Sequence, residues 1–211
     1  MRQRQTSRDR STARPFLFIG NHPALDFINT EMIENGRRVD LLPDVAQLVA
    51  WLAQAKLLTT AEARTAHRRW IGRPQGDRLL QAVRAYRAEV RHLVDRIHAR
   101  RPVPQSALTA TNAWLRHDLG YPQLFRTDKG FVTCYRRRHD RFEELLAVLA
   151  ETVADMLARR ELHRIKQCRN KQCILYFYDA TKNQGRRWCC MSLCGNRIKV
   201  AAHYRRQRGK D

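Results

Sequence analysis

The chain has 211 residues and carries 41 Lys and Arg against 20 Asp and Glu, which gives a formal net charge of +21 at pH 7. A chain of this length can hold one ordinary domain and a small appendage, and the domain buries enough surface to fold without a metal or a disulfide. No apolar run is long enough to span a membrane, and residues 16–19 are too short for the apolar region of a signal peptide, so we expect a cytoplasmic protein with reduced cysteines.

The N-terminal part of the chain begins with a polar segment and continues into an apolar one. Residues 1–14 are rich in Arg, Ser, Thr and Gln, a composition that predicts a disordered basic arm. Residues 16–19 predict a short strand or turn that leads into a buried run over residues 24–30. The dipeptide Asn35-Gly36 indicates a turn.

Polar side chains lie beside this apolar run, and two roles are open to them. They are His22, Asp26, Asn29 and Thr30. In the first role they line a pocket, and a small-molecule effector bound there shifts the position of the C-terminal segment. In the second they satisfy backbone groups at helix ends and turns. The second role is the favoured interpretation.

The next part of the chain predicts two helices. Apolar residues at helical spacing predict a helix over residues 44–56. Thr59 and Glu62 form the capping-box pattern that starts a second helix. The residues expected to end that helix are Gly72, Pro74 and Gly76.

The remainder of the body is also predicted to be helical, with one hairpin. A long helix is expected over residues 77–100, and Ser106 is expected to cap another. The apolar period changes to two over residues 124–135, where Asp128-Lys129-Gly130 indicates a hairpin turn. A last helix is expected over residues 139–160. The predicted fold class is mainly α with a small antiparallel β element.

The cysteines indicate a separate C-terminal unit. Residues 15–160 are expected to form the multihelical domain, and residues 161–211 a small four-cysteine zinc finger. Two cysteine pairs with the same short gap predict one structural Zn²⁺ with four thiolate ligands and no open position for a catalytic water. The predicted ligands are Cys168, Cys173, Cys189 and Cys194. Cys190 and His203 are alternative ligands, and Cys189 is preferred to Cys190 because it keeps the two gaps equal.

Two stretches of the chain resemble known families. The cysteine region, which ends in Cys194-Gly195-Asn196-Arg197, resembles the CGNR zinc-finger family. The body resembles the ABATE domain through Leu25-Asp26-Phe27-Ile28-Asn29-Thr30 and Asn112-Ala113-Trp114-Leu115. The resemblance implies a bacterial, stress-linked transcription regulator with a structural zinc and DNA as its partner. On the family pattern the ligands fall on the same four cysteines, while Cys190 stands where a small polar residue is usual.

Positive charge is concentrated in the predicted finger. Residues 161–211 carry 13 Lys and Arg against three acidic residues, and a basic helix is expected over residues 195–208. Such a segment is typical of nucleic-acid binding, although a basic run can also be a solvated face. No amphipathic helix of the membrane-binding type is present, so no membrane partner is expected. The predicted DNA-contacting residues are Arg186, Arg187, Arg197, Lys199, Arg205, Arg206 and Arg208.

Two other functions remain open for the finger. The run Tyr176-Phe177-Tyr178 could stack unpaired RNA bases, although Phe177 is expected in the core. The finger could instead bind an acidic protein partner. The body is expected to sense a ligand or to form a homodimer. The sequence contains no nucleophile elbow, phosphate-binding glycine loop or His-Glu helix motif, so we expect no enzymatic activity and predict no catalytic residue.

Overall fold

The computed structural model of the chain describes residues 15–118, 120–137, 141–200 and 207. Within these ranges the chain forms helices and three two-stranded antiparallel sheets. The predicted fold class, mainly α with a small antiparallel β element, is therefore confirmed. None of the helices in these ranges is long and apolar enough to cross a membrane. The predicted arm, residues 1–14, lies outside them.

The first elements are a short helix and a tight hairpin. Helix α1 spans Pro23–Ile28, and the predicted strand or turn over residues 16–19 has no regular secondary structure. Strands β1, Glu31–Glu34, and β2, Arg37–Asp40, pair on either side of the predicted turn. Asn35 and Gly36 both have positive φ angles, 50° and 78°, as a two-residue hairpin turn between twisted strands requires. The turn was predicted, whereas strands this short give no alternating pattern from which to predict them.

Helices α2 and α3 follow the predictions closely. Helix α2 spans Val45–Gln54, and the Asp44 side chain caps it by accepting a hydrogen bond from a backbone N–H. Helix α3 spans Thr60–Trp70. The capping box between Thr59 and Glu62 is present, with both reciprocal hydrogen bonds formed.

The start of the long helix differs from the prediction. Helix α4 spans Pro74–His98, so Pro74 and Gly76 lie in its first turn rather than in a break. Proline is tolerated there because the first helical N–H groups have no acceptor within the helix. A Cβ at position 76 would lie 2.1 Å from the carbonyl oxygen of Trp70. Gly76 therefore allows the start of α4 to pack against the end of α3, which the sequence pattern does not reveal.

The second half of the body contains two helices and a long hairpin. Helix α5 spans Gln105–Leu115 after Pro104, so Ser106 lies inside its first turn and does not cap it. Strands β3, Gly120–Thr127, and β4, Gly130–Arg137, form a longer hairpin than the predicted 124–135. Leu124 and Phe131 of this hairpin are 65% and 68% exposed. Helix α6 spans Phe142–Arg159.

Helix α4 lies at the centre of the body. It contacts α1, α2, α3, α5 and α6, and its predicted apolar stripe is buried. The stripe consists of Leu79, Val83, Tyr86, Val90, Leu93 and Ile97. One buried cation interrupts it: Arg87, 5% exposed, donates two hydrogen bonds to the Asp40 carboxylate at 2.8 and 2.6 Å. Burial alone would raise the pKa of Asp40, but the bonds from Arg87 hold it below its ordinary value.

The C-terminal segment packs against the body. A short 3₁₀ turn leads into strands β5, Ile165–Gln167, and β6, Tyr176–Tyr178, which pair antiparallel. Ile165 and Tyr176 are buried in the same core as the body helices. Conversely, Leu17, Ile19 and Met32 of the body pack on the separate small core that surrounds Phe177 and the cysteines. Apolar burial therefore joins the two parts of the chain.

Candidate metal centre

The sulfur atoms of Cys168, Cys173, Cys189 and Cys194 all lie within 4.8 Å of one another. Local structure brings them together. Cys168 directly follows β5, and Cys173 lies in the loop that returns to β6. Cys194 belongs to a π-helical turn over Met191–Gly195. Two of the sulfurs thus come from the loop between β5 and β6, and the other two come from residues 189–194.

This arrangement fits a tetrahedral thiolate site. Zn–S bonds of about 2.3 Å place two ligand sulfurs about 3.8 Å apart in a tetrahedron. The Sγ atoms of Cys173 and Cys189 are 3.9 Å apart. All four donors are thiols, which Zn²⁺ favours over carboxylates. The donor set and the spacing therefore fit a zinc ion.

The four thiols affect one another's ionisation. Hydrogen bonds from the thiols of Cys173 and Cys189, with help from backbone N–H groups, lower the pKa of Cys168 below its ordinary value. The neighbouring Cys168 sulfur in turn raises the pKa values of Cys173 and Cys189. Ionisation of one thiol therefore disfavours ionisation of its neighbours. A divalent cation at the centre would reverse this effect by favouring all four thiolates.

Cys190 is directed away from the cluster. Its Sγ lies 2.8 Å from Ser192 Oγ, whereas Cys189 is fully buried among the other cysteines. The structure thus places Cys189 in the group and not its neighbour. His203, the other alternative ligand, lies outside the described residues. One side chain supports the cluster from outside, because Asn170 Nδ2 donates to Cys194 Sγ at 3.4 Å.

Arg186, one of the predicted DNA contacts, is half-buried and braces the finger from within. Its guanidinium donates to the carbonyl oxygens of Ile19, Trp188 and Cys189. The same group lies 4.1 Å from the centre of the Phe177 ring. The bond to Ile19 ties the segment before the third cysteine to the body.

A buried carboxylate organises the loop before Arg186, and the sequence analysis missed it. Asp179 is fully buried and accepts hydrogen bonds from Lys166 Nζ, from the backbone and hydroxyl of Thr181, and from the Arg186 backbone. These bonds lower the pKa of Asp179 to about 2, although burial acts in the opposite direction. The residue type offered a clue to this turn, because an Asp side chain typically accepts a hydrogen bond from the backbone N–H two residues later.

The other predicted DNA contacts divide into two groups. Arg187, Arg197 and Lys199 are exposed, and residues 196–200 are helical. Arg187 and Lys199 line a shallow cavity of about 660 Å³ together with Phe18, Trp188 and Met191. Cations and aromatic rings therefore share one surface, which we call the finger groove. The second group, Arg205, Arg206 and Arg208, lies outside the described residues.

Most of the aromatic run of the finger is buried. Tyr176 is 2% exposed and Phe177 is fully buried. Tyr178 is half-buried and packs against the body core. The expectation that Phe177 belongs to the core is confirmed, and Tyr178 is the residue of the run that keeps part of its surface.

The polar residues at the start of the body are buried and bonded to the protein itself. Asp26 Oδ1 accepts the N–H of Gly20 at 2.7 Å. The carbonyl of Gly20 in turn accepts the N–H of Tyr178 in the finger. Asp26 thus fixes the segment on which β6 docks. This corresponds to the favoured, structural role and not to an open ligand pocket.

Asn29 makes the most direct connection to the finger. Its Nδ2 donates to the Tyr176 carbonyl at 2.8 Å, and its Oδ1 accepts the Tyr176 N–H at 2.9 Å. The side chain therefore pairs with the β6 backbone as a neighbouring strand would. His22 caps α1, and Thr30 donates to the Phe27 carbonyl while it accepts from Arg87. All four predicted pocket residues thus satisfy groups of the chain.

We expect Asp26→Asn to gain stability relative to the wild type as pH rises from about 4 to 6. Burial raises the pKa of Asp26 from 3.8 to about 6, so the native state favours the neutral acid. The protonated Asp26 therefore stabilises the native state at low pH. As pH rises from the unfolded pKa of 3.8 through the folded pKa of about 6, the wild type loses about 3 kcal/mol of its free energy of unfolding in total. Asn keeps an acceptor for Gly20 and cannot ionise.

Urea unfolding of both proteins across that window measures the difference. Cysteine protonation affects both proteins equally and cancels in the comparison. A difference between the two free energies of unfolding that stays constant with pH would contradict the assignment.

Comparison with known protein families gives two matches. Residues 21–160 match the family ABATE, described as "Putative stress-induced transcription regulator". Residues 164–207 match the CGNR zinc finger. The comparison with curated proteins finds no match. The two matched regions meet at the start of the segment that carries the cysteines.

Proposed function

The chain belongs to the ABATE family and carries a CGNR zinc finger, and on this basis we propose that it is a zinc-dependent, DNA-binding transcription regulator. The observation that supports the proposal most directly is the finger groove. There, exposed cations lie directly beside a four-cysteine cluster that fits one structural zinc ion. The protein acts in this proposal by binding, without catalysis.

Zinc in this proposal shapes the surface that meets DNA. The segment from Cys189 to Cys194 carries two of the four ligands, and the helical residues with Arg197 and Lys199 follow it directly. Ligation would hold the start of that helix against the β5–β6 hairpin. Exposed Arg and Lys side chains on such a support can contact phosphates, and a zinc-anchored helix can enter a groove.

The body has a supporting role in the proposal. Asn29 and the Gly20 carbonyl, fixed by Asp26, bind the backbone of β6. The finger is therefore held at a defined position on the body. A regulator needs such a connection, because a change in the body can then alter the position of the DNA-contacting surface.

Fluorescence anisotropy with zinc-loaded protein and genomic duplexes tests the proposal. Titrations at about 50 and 200 mM salt, with non-specific competitor, separate general charge attraction from specific binding. We expect one duplex to bind tightly over competitor, as a transcription regulator requires. If every duplex loses affinity alike with salt, the finger is only a general polyanion binder. Tighter binding to single-stranded RNA or to an acidic protein would favour the other two functions.

We expect Lys199→Ala to weaken binding to all duplexes alike and to reduce the salt slope by about 1. Lys199 lines the finger groove and is exposed, so the substitution removes a phosphate contact without disturbing the core. Lys56→Gly is the matched control, since it removes an exposed lysine of the body. Equal salt slopes for the two variants would place the DNA contact elsewhere.

A further inference from the structure

A second cavity, of about 690 Å³, lies between the end of α4 and the finger. Ile97 and His98 of α4 and Arg100 just after it line one side of the cavity, and Leu162, Arg169 and Arg187 of the C-terminal segment line the other. Cavities of about 300–1,000 Å³ are typical of small-molecule sites. We call it the junction cavity, because both parts of the chain form its wall.

The junction cavity presents unpaired positive charge. Arg100, Arg169 and Arg187 are exposed, and within the described part of the chain their guanidinium groups have no carboxylate partner or hydrogen bond. No acidic residue is among the described residues that line the cavity. Lys166, also in the wall, is already paired with Asp179. The three arginines are therefore the groups available to an anionic ligand.

The backbone of Arg100 has a conformation that suits glycine. Arg100 has a φ of 55° and follows Ala99, the residue directly after α4. Glycine is the usual residue at this position after a helix, because a Cβ disfavours the left-handed conformation. Gln184, another residue with positive φ, 47°, lines the same cavity.

We propose that the junction cavity binds a nucleoside diphosphate. Guanidinium groups bind phosphate oxygens through paired hydrogen bonds, and three of them match the charge of a diphosphate. The half-buried side chain of Leu162 offers an apolar surface for the base. Free phosphate would leave most of the cavity empty. A duplex would meet this concave site less well than the finger groove.

A ligand in the junction cavity would act on the finger directly. It would contact α4 of the body and the segments that precede the first and third cysteines of the cluster. Arg187 lines both the junction cavity and the finger groove. Ligand and DNA would therefore compete for that side chain, a consequence that rests on the proposed DNA binding, whereas ligand binding itself does not.

The test is isothermal titration calorimetry of ADP into the zinc-loaded full chain, freed of excess zinc, and into two variants. Arg100→Gly removes one cation and relieves the positive φ, so it is not expected to impair folding. Lys56→Gly is matched to it, because Lys56 has a φ of 59° and also follows the alanine that comes directly after a helix. We expect ADP to bind the wild type and Lys56→Gly equally, and Arg100→Gly about tenfold or more weakly.

Several results would overturn the proposal. They are no binding of ADP to the wild type, equal affinity in the two variants, and binding of adenosine as tight as that of ADP. Duplex titrations of the same variants separate the two sources of phosphate. If Arg100→Gly loses affinity for DNA while the wild type does not bind ADP, the junction cavity is part of the DNA surface and not a nucleotide site.

Discussion

Cys173→Ser is expected to abolish stoichiometric zinc binding and to remove detectable DNA binding. Structural zinc contributes about 10–16 kcal/mol of apparent binding free energy in finger-sized units. The finger is too short and too polar to replace that contribution from its own small core, which is built around Phe177 and the cysteines. The residues that carry Arg197 and Lys199 follow the cluster directly, so they would lose their support.

The loss of zinc should affect the structure of the body less than that of the finger. The helices of the body pack around α4, and none of them depends on the cysteine cluster for its core. Circular dichroism should therefore retain most of the helical signal, with some loss of stability because Ile165 and Tyr176 belong to the shared core. Removal of zinc by a chelator should have the same effect as the substitution.

Cys190→Ser is the matched control for this prediction. The Cys190 sulfur is hydrogen-bonded to Ser192 and lies outside the cluster. The zinc content and DNA affinity of this variant should therefore match those of the wild type. Zinc content is measured by metal analysis of the purified proteins, and DNA affinity by anisotropy. Undiminished DNA binding by zinc-free protein would refute zinc-dependent DNA recognition. Loss of zinc in Cys190→Ser would refute the ligand assignment.

Asn29→Ala is expected to lower the free energy of unfolding by roughly 2–6 kcal/mol, because each buried polar group left without a partner costs about 1–3 kcal/mol. The substitution leaves the N–H and the carbonyl of Tyr176 without their partner. Asn29 is 1% exposed and Tyr176 is 2% exposed, so water cannot easily replace the lost bonds. The loss should be visible in urea unfolding.

A second bond at the same interface provides the control. Asn21 Nδ2 donates to the Tyr178 carbonyl at 3.1 Å, but this contact is exposed. Asn21→Gly suits the φ of 56° at that position and should cost no more than about 1 kcal/mol. Equal losses for the two variants would show that Asn29 contributes nothing beyond an ordinary exposed hydrogen bond.

The sequence determined the features that local patterns encode. Apolar spacing predicted the body helices, and the Thr59–Glu62 pattern predicted the start of α3, because these signals act within one or two helical turns. The spacing of the cysteine pairs predicted which sulfurs come together. Each pair lies within one short segment, and two cysteines at such a spacing are typical ligands of a tetrahedral zinc site.

Only the tertiary structure decided which polar groups meet across long distances in the chain. Asn29 and Tyr176 are 147 positions apart, and no local pattern relates them. Arg186 looks like its neighbour Arg187 in the sequence, yet one braces the finger from within and the other is exposed. A guanidinium suits either role, and the carbonyl groups available after packing decide between them. Polar partners are chosen by packing, whereas helices and short-loop metal sites are specified locally.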